Sequence, residues 1–411
     1  MGRYFTRARF RPAQLFAAGL LIAFLAQASW LVHAELSVGQ AIDSDEEVRI
    51  GEGLKQWHGR GIAGAPVLEP VDNPFGSLSQ MREDGFDTEH SPLVYLISSA
   101  PLLVWPHDLD AETAICWRWL PRVPFLACGV FLGASLWYVA RRLCGNTGGL
   151  IALTLYAFSP AFIQSAANWH TEPGIVAAWG CFGTIFTAIA VAHTLYAPRE
   201  VVLWNWRRIV LLGVALAIAV GSRFSLVILI PMALALLLYV APVRQRAAVV
   251  IWAAACSVGL LLLLATYFFR FHAFAESMRH AGFLRFTVRA FATPVVHKQI
   301  AIQIGRACPL LAITFPVTLA TWLAWPKTRY FGNTAPLLIA AVLIVLAIAN
   351  PHTSGGGLLL AAIPFAFIFV AGVLGDLLET NYRPLVLGSV LALLVTYAAR
   401  TLLALAQVPR G

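Results

Sequence analysis

Long apolar runs follow one another from residue 13 to residue 405, separated by short polar breaks. A membrane span needs about 20 such residues. The runs are continuous and do not alternate, which selects helices over strands. In lipid only helices or closed barrels satisfy every backbone N–H and C=O. At 59% hydrophobic and 12% charged residues, with mean hydropathy +0.75, the chain is excluded from ordinary soluble domains and from disorder. The expected fold class is therefore an all-α polytopic membrane protein, a single transmembrane domain over 1–411. Spans are expected near 13–33, 120–140, 147–166, 173–195, 207–221, 224–241, 248–269, 308–325, 335–349, 357–376 and 385–405, about eleven in all.

Residues 207–241 are read as two spans. One helix over that stretch would be about 50 Å long, too long for a bilayer. The break falls at Gly221-Ser222-Arg223-Phe224-Ser225. The first run follows Arg3, Arg7, Arg9 and Arg11. Val32-His33-Ala34 resembles a signal-peptide cleavage site, but the run exceeds the h-region of about 7–15 residues, so an uncleaved span is expected.

Orientation follows from the arginines. Residues 91–106 are apolar but short and punctuated by Pro92, Pro101 and Pro106, which suits a surface-lying segment. If they do not cross, Arg141-Arg142, Arg199, Arg207-Arg208, Arg244, Arg246, Lys327, Arg329 and Arg383 share the cytoplasmic side with the arginine-rich N-terminus, as the positive-inside bias requires. The net charge of +9 then describes membrane orientation, and no nucleic-acid partner is implied. None of the six cysteines forms a readable disulfide framework or CxxC metal pair.

This topology places 35–119 outside as a large first extracytoplasmic loop with juxtamembrane helices. Residues 35–112 hold fifteen of the twenty Asp and Glu residues. A solvated connector is the plain interpretation of such a loop; a membrane-surface active site is the sharper one. A second outside loop, 270–306, carries Arg270, Arg279, Arg285, Arg289, Lys298 and Arg306 against only Glu276, interleaved with phenylalanines 271, 274, 283, 286 and 291. That mixture suits either an interfacial helix among anionic membrane lipids or simple aromatic-belt anchoring.

Four features fall on the same side. Asp43 and Asp45 follow the first span, Glu172 lies in Asn168-Trp169-His170-Thr171-Glu172-Pro173, Arg223 marks the break between two spans, and His352 lies in Asn350-Pro351-His352-Thr353. Ionisable groups at membrane depth are functional candidates by default. Glu172 also reads as an N-cap before Pro173, and His352 as a solvated loop histidine.

The order of motifs over roughly residues 13–300 resembles the GT-C membrane glycosyltransferases of the protein O-mannosyltransferase and aminoarabinose transferase type. Asp45-Glu46, followed by Ile50-Gly51-Glu52-Gly53-Leu54, resembles the acidic motif after the first span. His90-Ser91-Pro92-Leu93-Val94-Tyr95 resembles the family's His/Lys-x-Pro-Leu-x-Tyr stretch. Arg118-Trp119-Leu120-Pro121-Arg122-Val123-Pro124 resembles the Arg-hydrophobic-Pro start of span two, and Tyr138 through Gly145 its aromatic, double-basic end. Ser159-Pro160 and Glu172-Pro173 resemble the Ser-Pro and acid-Pro elements around span three, although the family more often has Asp where Glu172 stands. The family's late Arg-Tyr-Leu-Leu-Pro element is replaced by Ser354-Gly355-Gly356-Gly357-Leu358 through Pro364. No large C-terminal extracytoplasmic domain is expected before residue 411.

The resemblance implies transfer of a sugar, by a hexosyl- or pentosyltransferase, from a polyprenyl-phosphate donor to a lipid, glycan or protein acceptor. The outer face of the cytoplasmic (inner) membrane is the expected location. An acceptor hydroxyl then needs a carboxylate to take its proton, and the leaving phosphate needs fixed cations. On this reading Asp45 is the base and Glu172 its partner or a metal ligand. Arg223 clamps the donor phosphate with Arg279 and Arg285, and Glu46, His90 and His352 contact substrate. No cofactor is required, though Asp43 and Asp45 could hold Mg²⁺ or Mn²⁺, which take oxygen ligands. A multi-span transporter and a non-catalytic envelope-assembly protein are the rival expectations. Against the transporter stand the missing internal repeat and the sparse charges within the spans.

Overall fold

The structure is a computed structural model that describes residues 12–37, 44–59, 90–106, 117–167, 174–196, 206–281, 283, 286–350, 357–380 and 383–407, with the backbone alone for Ser37 and for 44–49. Every regular element among the described residues is a helix. The first, α1 (Pro12–Ser37), spans 26 residues, about 39 Å at 1.5 Å per residue. Its buried Gln27 donates Nε2 to the carbonyls of Ala23 and Ala157, 3.0 and 3.1 Å away. A polar amide among apolar spans thereby fastens α1 to a distant helix end.

Two short helices follow outside the bundle of spans, α2 (Ser44–Trp57) and α3 (Pro92–Ser99), the latter continued by a 3-10 turn over Ala100–Val104. Eight α-helical residues plus that turn are too short to cross a bilayer, as the prolines at 92, 101 and 106 predict. α2 packs on α3, and Ile50, Leu102 and Trp117 form a small separate core beneath them.

Next comes α4 (Val123–Ala157), nominally one helix of 35 residues. Gly145, with φ 73° and ψ −177°, folds it back on itself. The Tyr156 hydroxyl reaches the Gly129 carbonyl at 2.6 Å, whereas 27 residues of straight helix would separate them by about 40 Å. Two antiparallel spans therefore turn at Gly145, a left-handed position where glycine carries no Cβ penalty. The expected span over 147–166 is interrupted, because Pro160 opens a separate helix α5 (Pro160–Ala167) and disfavours helical geometry at Ser159.

The chain continues as α6 (Gly174–Thr194), α7 (Trp206–Ser222), α8 (Leu229–Val240), α9 (Gln245–Thr266), α10 (Phe271–His280), α11 (Pro294–Ala307), α12 (Pro309–Ala324), α13 (Phe331–Ala349), α14 (Leu358–Leu377) and α15 (Arg383–Ala406). Small residues let these helices approach closely, the usual route to packing where lipid removes the hydrophobic drive. Gly180 of α6 lies against the Ala219 backbone of α7, and Gly213 of α7 against Val258 of α9. At the centre stands α14, with 83% of its apolar window buried against 17% for α15. Phe365 and Phe367 of α14 pack, with tilted rings, against Phe182 and Phe162, at 5.4 and 6.1 Å between centroids.

Among the described residues, length and apolarity alone qualify seven helices to span a membrane. They become eight if α11 and α12, bent by 109° to one another, count as one. The expected eleven include short segments such as Phe224–Val240 and count the α4 hairpin as two. The protein is thus an all-helical, multi-pass membrane protein.

α14 also sets the scale between two polar ends. Its 20 residues rise about 30 Å, the thickness of a bilayer core. At the Asp376 end, Asn333 Nδ2 and Tyr330 Oη donate to the Asp376 carboxylate at 2.8 and 3.2 Å. The Cys144 thiol lies 3.9 Å from Asn333 Oδ1, so the α4 turn with Arg141 and Arg142 is at this end. At the Leu358 end lies a second polar assembly.

Candidate active site

That assembly is built on the break after α7. Ser91 precedes α3 with extended backbone, φ −84° and ψ 168°, and its Oγ accepts the Leu93 N–H at 3.2 Å. The same hydroxyl donates to the Gly221 carbonyl at 2.7 Å, and the Ser91 N–H donates to that oxygen at 3.0 Å. One serine therefore caps a juxtamembrane helix and pins it to the end of a span. Gly221 permits this approach, since a Cβ there would meet Leu93 and Leu263 side chains below 3 Å. His90, beside Ser91, is buried at 7% exposure.

Two residues beyond Gly221 the chain leaves the helix. Arg223 is extended, φ −159° and ψ 118°, and the next residues form a 3-10 turn, Phe224–Ile228, that leads into α8. The Arg223 side chain is buried at 3% exposure. Gly357, the residue that caps α14, lies directly against it. A Cβ on Gly357 would stand 2.5 Å from Arg223 Cδ, 3.1 Å from Nε and 3.3 Å from Nη1. Gly357 also has φ 71°, so both its left-handed backbone and its closeness to the guanidinium call for glycine. The first N–H groups of α14 have no acceptor within that helix and carry the positive end of its dipole. A buried guanidinium and a helix N-terminus thus converge on one place, the arrangement that receives an anion.

The basic loop closes over the same end. Phe283 packs on Phe224 with 6.0 Å between ring centroids, and the Thr287 N–H donates to the Ala349 carbonyl at 2.8 Å. Buried Arg122 donates Nη1 to the Arg118 carbonyl at 2.8 Å, where a 3-10 turn at Leu120–Arg122 meets α3.

The expected site residues divide accordingly. His90 precedes Ser91, whose bonds to Gly221 lie two residues before Arg223. Arg279 lies elsewhere in character: it is 73% exposed on α10 and pairs with Glu276 at 2.7 Å. Asp45 and Glu46 belong to the first turn of α2, whose backbone alone is described there. Asp43, Glu172, Arg285 and His352 lie outside the described residues. Among the described residues no group of three His, Cys, Asp or Glu gathers at metal-binding distance, and the Asp43/Asp45 side chains fall outside that set. Gly357 and Ser91 had no assigned role in the sequence; the Gly355-Gly356-Gly357 run and the Ser-Pro at 91–92 were the available signals.

No protein-family model matches the chain, and no curated protein matches it in sequence. Solved structures do match in fold. ArnT from Cupriavidus metallidurans bound to undecaprenyl phosphate superposes with TM-score 0.59 at 16% identity, over 95% of this chain and 64% of that one. The archaeal oligosaccharyltransferase AglB from Archaeoglobus fulgidus, in complex with an inhibitory peptide and a dolichol-phosphate, gives 0.59 at 14% identity, over 96% and 56%. ArnT in the apo state gives 0.58 at 14%, over 92% and 62%. The chain shares the fold of these ArnT and AglB structures and spans about three-fifths of their length.

Proposed function

We propose that this protein is a glycosyltransferase that moves a sugar from a polyprenyl-phosphate carrier to an acceptor hydroxyl at the outer face of the membrane. The observation that carries this reading is the burial of Arg223 at the end of a broken span, against the N-terminus of α14. A guanidinium at that depth is placed to meet a lipid phosphate whose prenyl chain lies in the bilayer. The GT-C fold supports the same assignment, and the ArnT and AglB structures themselves hold polyprenyl phosphates.

In the reaction the acceptor oxygen attacks the anomeric carbon, and the bond from that carbon to the phosphate oxygen breaks. The phosphate leaves with the electron pair, so negative charge develops where Arg223 and the α14 amides stand ready. The acceptor proton passes to a carboxylate. Asp45, on the first turn of α2, is the base of this proposal, with Glu172 as its partner. The assigned residues account for every step without a metal. Asp43 and Asp45 are the oxygen donors that would hold Mg²⁺ or Mn²⁺ if one binds. Sugar and acceptor identity belong to surfaces beyond this polar core.

The test is turnover of a radiolabelled polyprenyl-phosphate sugar by the protein in nanodiscs. Wild-type protein is expected to release the free polyprenyl phosphate. Arg223→Ala should raise donor KM by about 10- to 100-fold, the worth of a hydrogen bond to a charged group. Arg223→Lys should retain part of the activity if charge alone is read. A normal donor KM in the alanine variant would remove Arg223 from the site.

A further inference from the structure

The acid-bearing helix α2 is held from its far end, and the holding residues form a second feature that the chemistry above leaves unused. Gln56 is fully buried, and its Nε2 donates to the Thr266 carbonyl at 2.9 Å. Thr266 ends α9, so this carbonyl has no helical N–H of its own. The Arg270 guanidinium donates to the Gly59 carbonyl at 2.6 Å. Trp57 donates Nε1 to the Leu96 carbonyl at 3.2 Å and packs against Phe268, 5.9 Å between centroids at 85°.

Three of these four contacts end on the junction between α9 and α10. That junction contains Phe268 and Phe269, at φ 52° and 58°, the two non-glycine residues with positive φ among the described residues. Left-handed geometry is the habit of glycine or asparagine, and strain in a phenylalanine persists only where the surroundings over-determine it. Burial does not explain the choice, since Phe268 and Phe269 are 40% and 57% exposed. The turn closes on itself, with Phe268 and Phe269 N–H groups reaching the Ala265 and Leu264 carbonyls at 2.9 and 3.1 Å. It delivers Arg270 onto Gly59. On its other side, the Tyr267 hydroxyl lies 2.7 Å from Ser277 Oγ, which fixes α10 to the same point. Beyond α10 comes Phe283, stacked on Phe224 next to Arg223.

We infer that Gln56, Phe269 and Arg270 are positioning residues: the left-handed Phe268–Phe269 turn sets the acid-bearing helix α2 in a fixed relation to Arg223. This inference rests on the proposed transfer reaction, in which base and phosphate clamp act on the same substrate. Small displacements of a reacting group reduce rate steeply while leaving binding of the other partner intact. The device acts through α2 and touches no substrate.

The test uses the full chain in nanodiscs, with three readouts: transfer kinetics, thermal unfolding, and amide hydrogen exchange over residues 44–57. Phe269→Gly releases the strained backbone. It is expected to keep or raise the unfolding midpoint while kcat falls about tenfold and donor KM stays within about twofold. Phe269→Asn, which tolerates the left-handed region, should recover at least half of the wild-type kcat. Arg270→Ala and Gln56→Leu should lower kcat similarly and speed α2 exchange about tenfold, as expected when local opening is eased. Unchanged kcat in a Phe269→Gly protein of higher midpoint would overturn the inference. So would unchanged α2 exchange in Arg270→Ala. If the wild type transfers no sugar, the functional reading fails separately, and the exchange measurement alone decides whether α2 is held at this turn.

Discussion

Arg223, Gly357 and Ser91 show how single residues assemble a site from distant parts of the chain. Ser91 is explained by the Gly221 carbonyl it binds, and Gly357 by the Arg223 guanidinium packed against it. The base is placed by motif and by position on the first turn of α2. In sequence Asp45 is followed directly by Glu46 and Glu47, so the proposed base belongs to an acidic run. Asp45→Asn preserves shape and removes the proton acceptor. Transfer should fall by about 10²- to 10⁴-fold, the usual worth of a general base. Membrane insertion and the unfolding midpoint should stay at wild-type values. Near-normal transfer in Asp45→Asn together with its loss in Glu172→Gln would move the base to Glu172.

Among the elements, the packed pair α6 and α7 makes the sharpest demand on sequence. Gly180 leaves no room for a Cβ, which would stand 2.5 Å from the Ala219 nitrogen and 2.7 Å from its Cα. Backbone cannot swing aside as a side chain does, so the helices must separate. Gly180→Ala is expected to destabilise the protein by about 1–3 kcal/mol, the range for overpacking a close interface. Thermal unfolding in detergent measures it, and an unchanged midpoint would mean that α6 and α7 are spaced more widely. Most spans were legible from apolar run length: 173–195 is α6 at Gly174–Thr194, 385–405 is α15 at Arg383–Ala406, and the break at Gly221–Ser225 lies where α7 ends. Ser159 was not legible as a break, because its effect depends on Pro160 and on donation to the Ala307 carbonyl at 2.7 Å, 148 residues away. Nor was the pairing of Arg223 with Gly357, since periodicity reports one helix's faces and not which helix end lies opposite. The sequence offered Arg223 through the break between two spans and His90 through its motif, and the Ser91–Gly221 bonds link the stretches that carry them. Arg279, offered as a second phosphate contact, forms an exposed ion pair with Glu276.

The whole molecule is a bundle around α14 with a polar end at each side of a bilayer-thick core. One end joins Asp376, Asn333 and Tyr330 near the Arg141-Arg142 turn; the other joins Arg223, Ser91 and Gly357 beneath the basic loop. The topology proposed from the arginines sets the first end towards the cytoplasm and the Arg223 end outward, where the proposed lipid-linked donor would be met. Where a polyprenyl phosphate sits decides between these two ends. A cryo-electron microscopy structure of the protein in nanodiscs with undecaprenyl phosphate measures this directly. The predicted result is the phosphate within hydrogen-bond distance, about 2.7–3.2 Å, of the Arg223 guanidinium and facing the first amides of α14. Phosphate bound at the Asp376 end, or at the exposed Arg279 with none at Arg223, would contradict it.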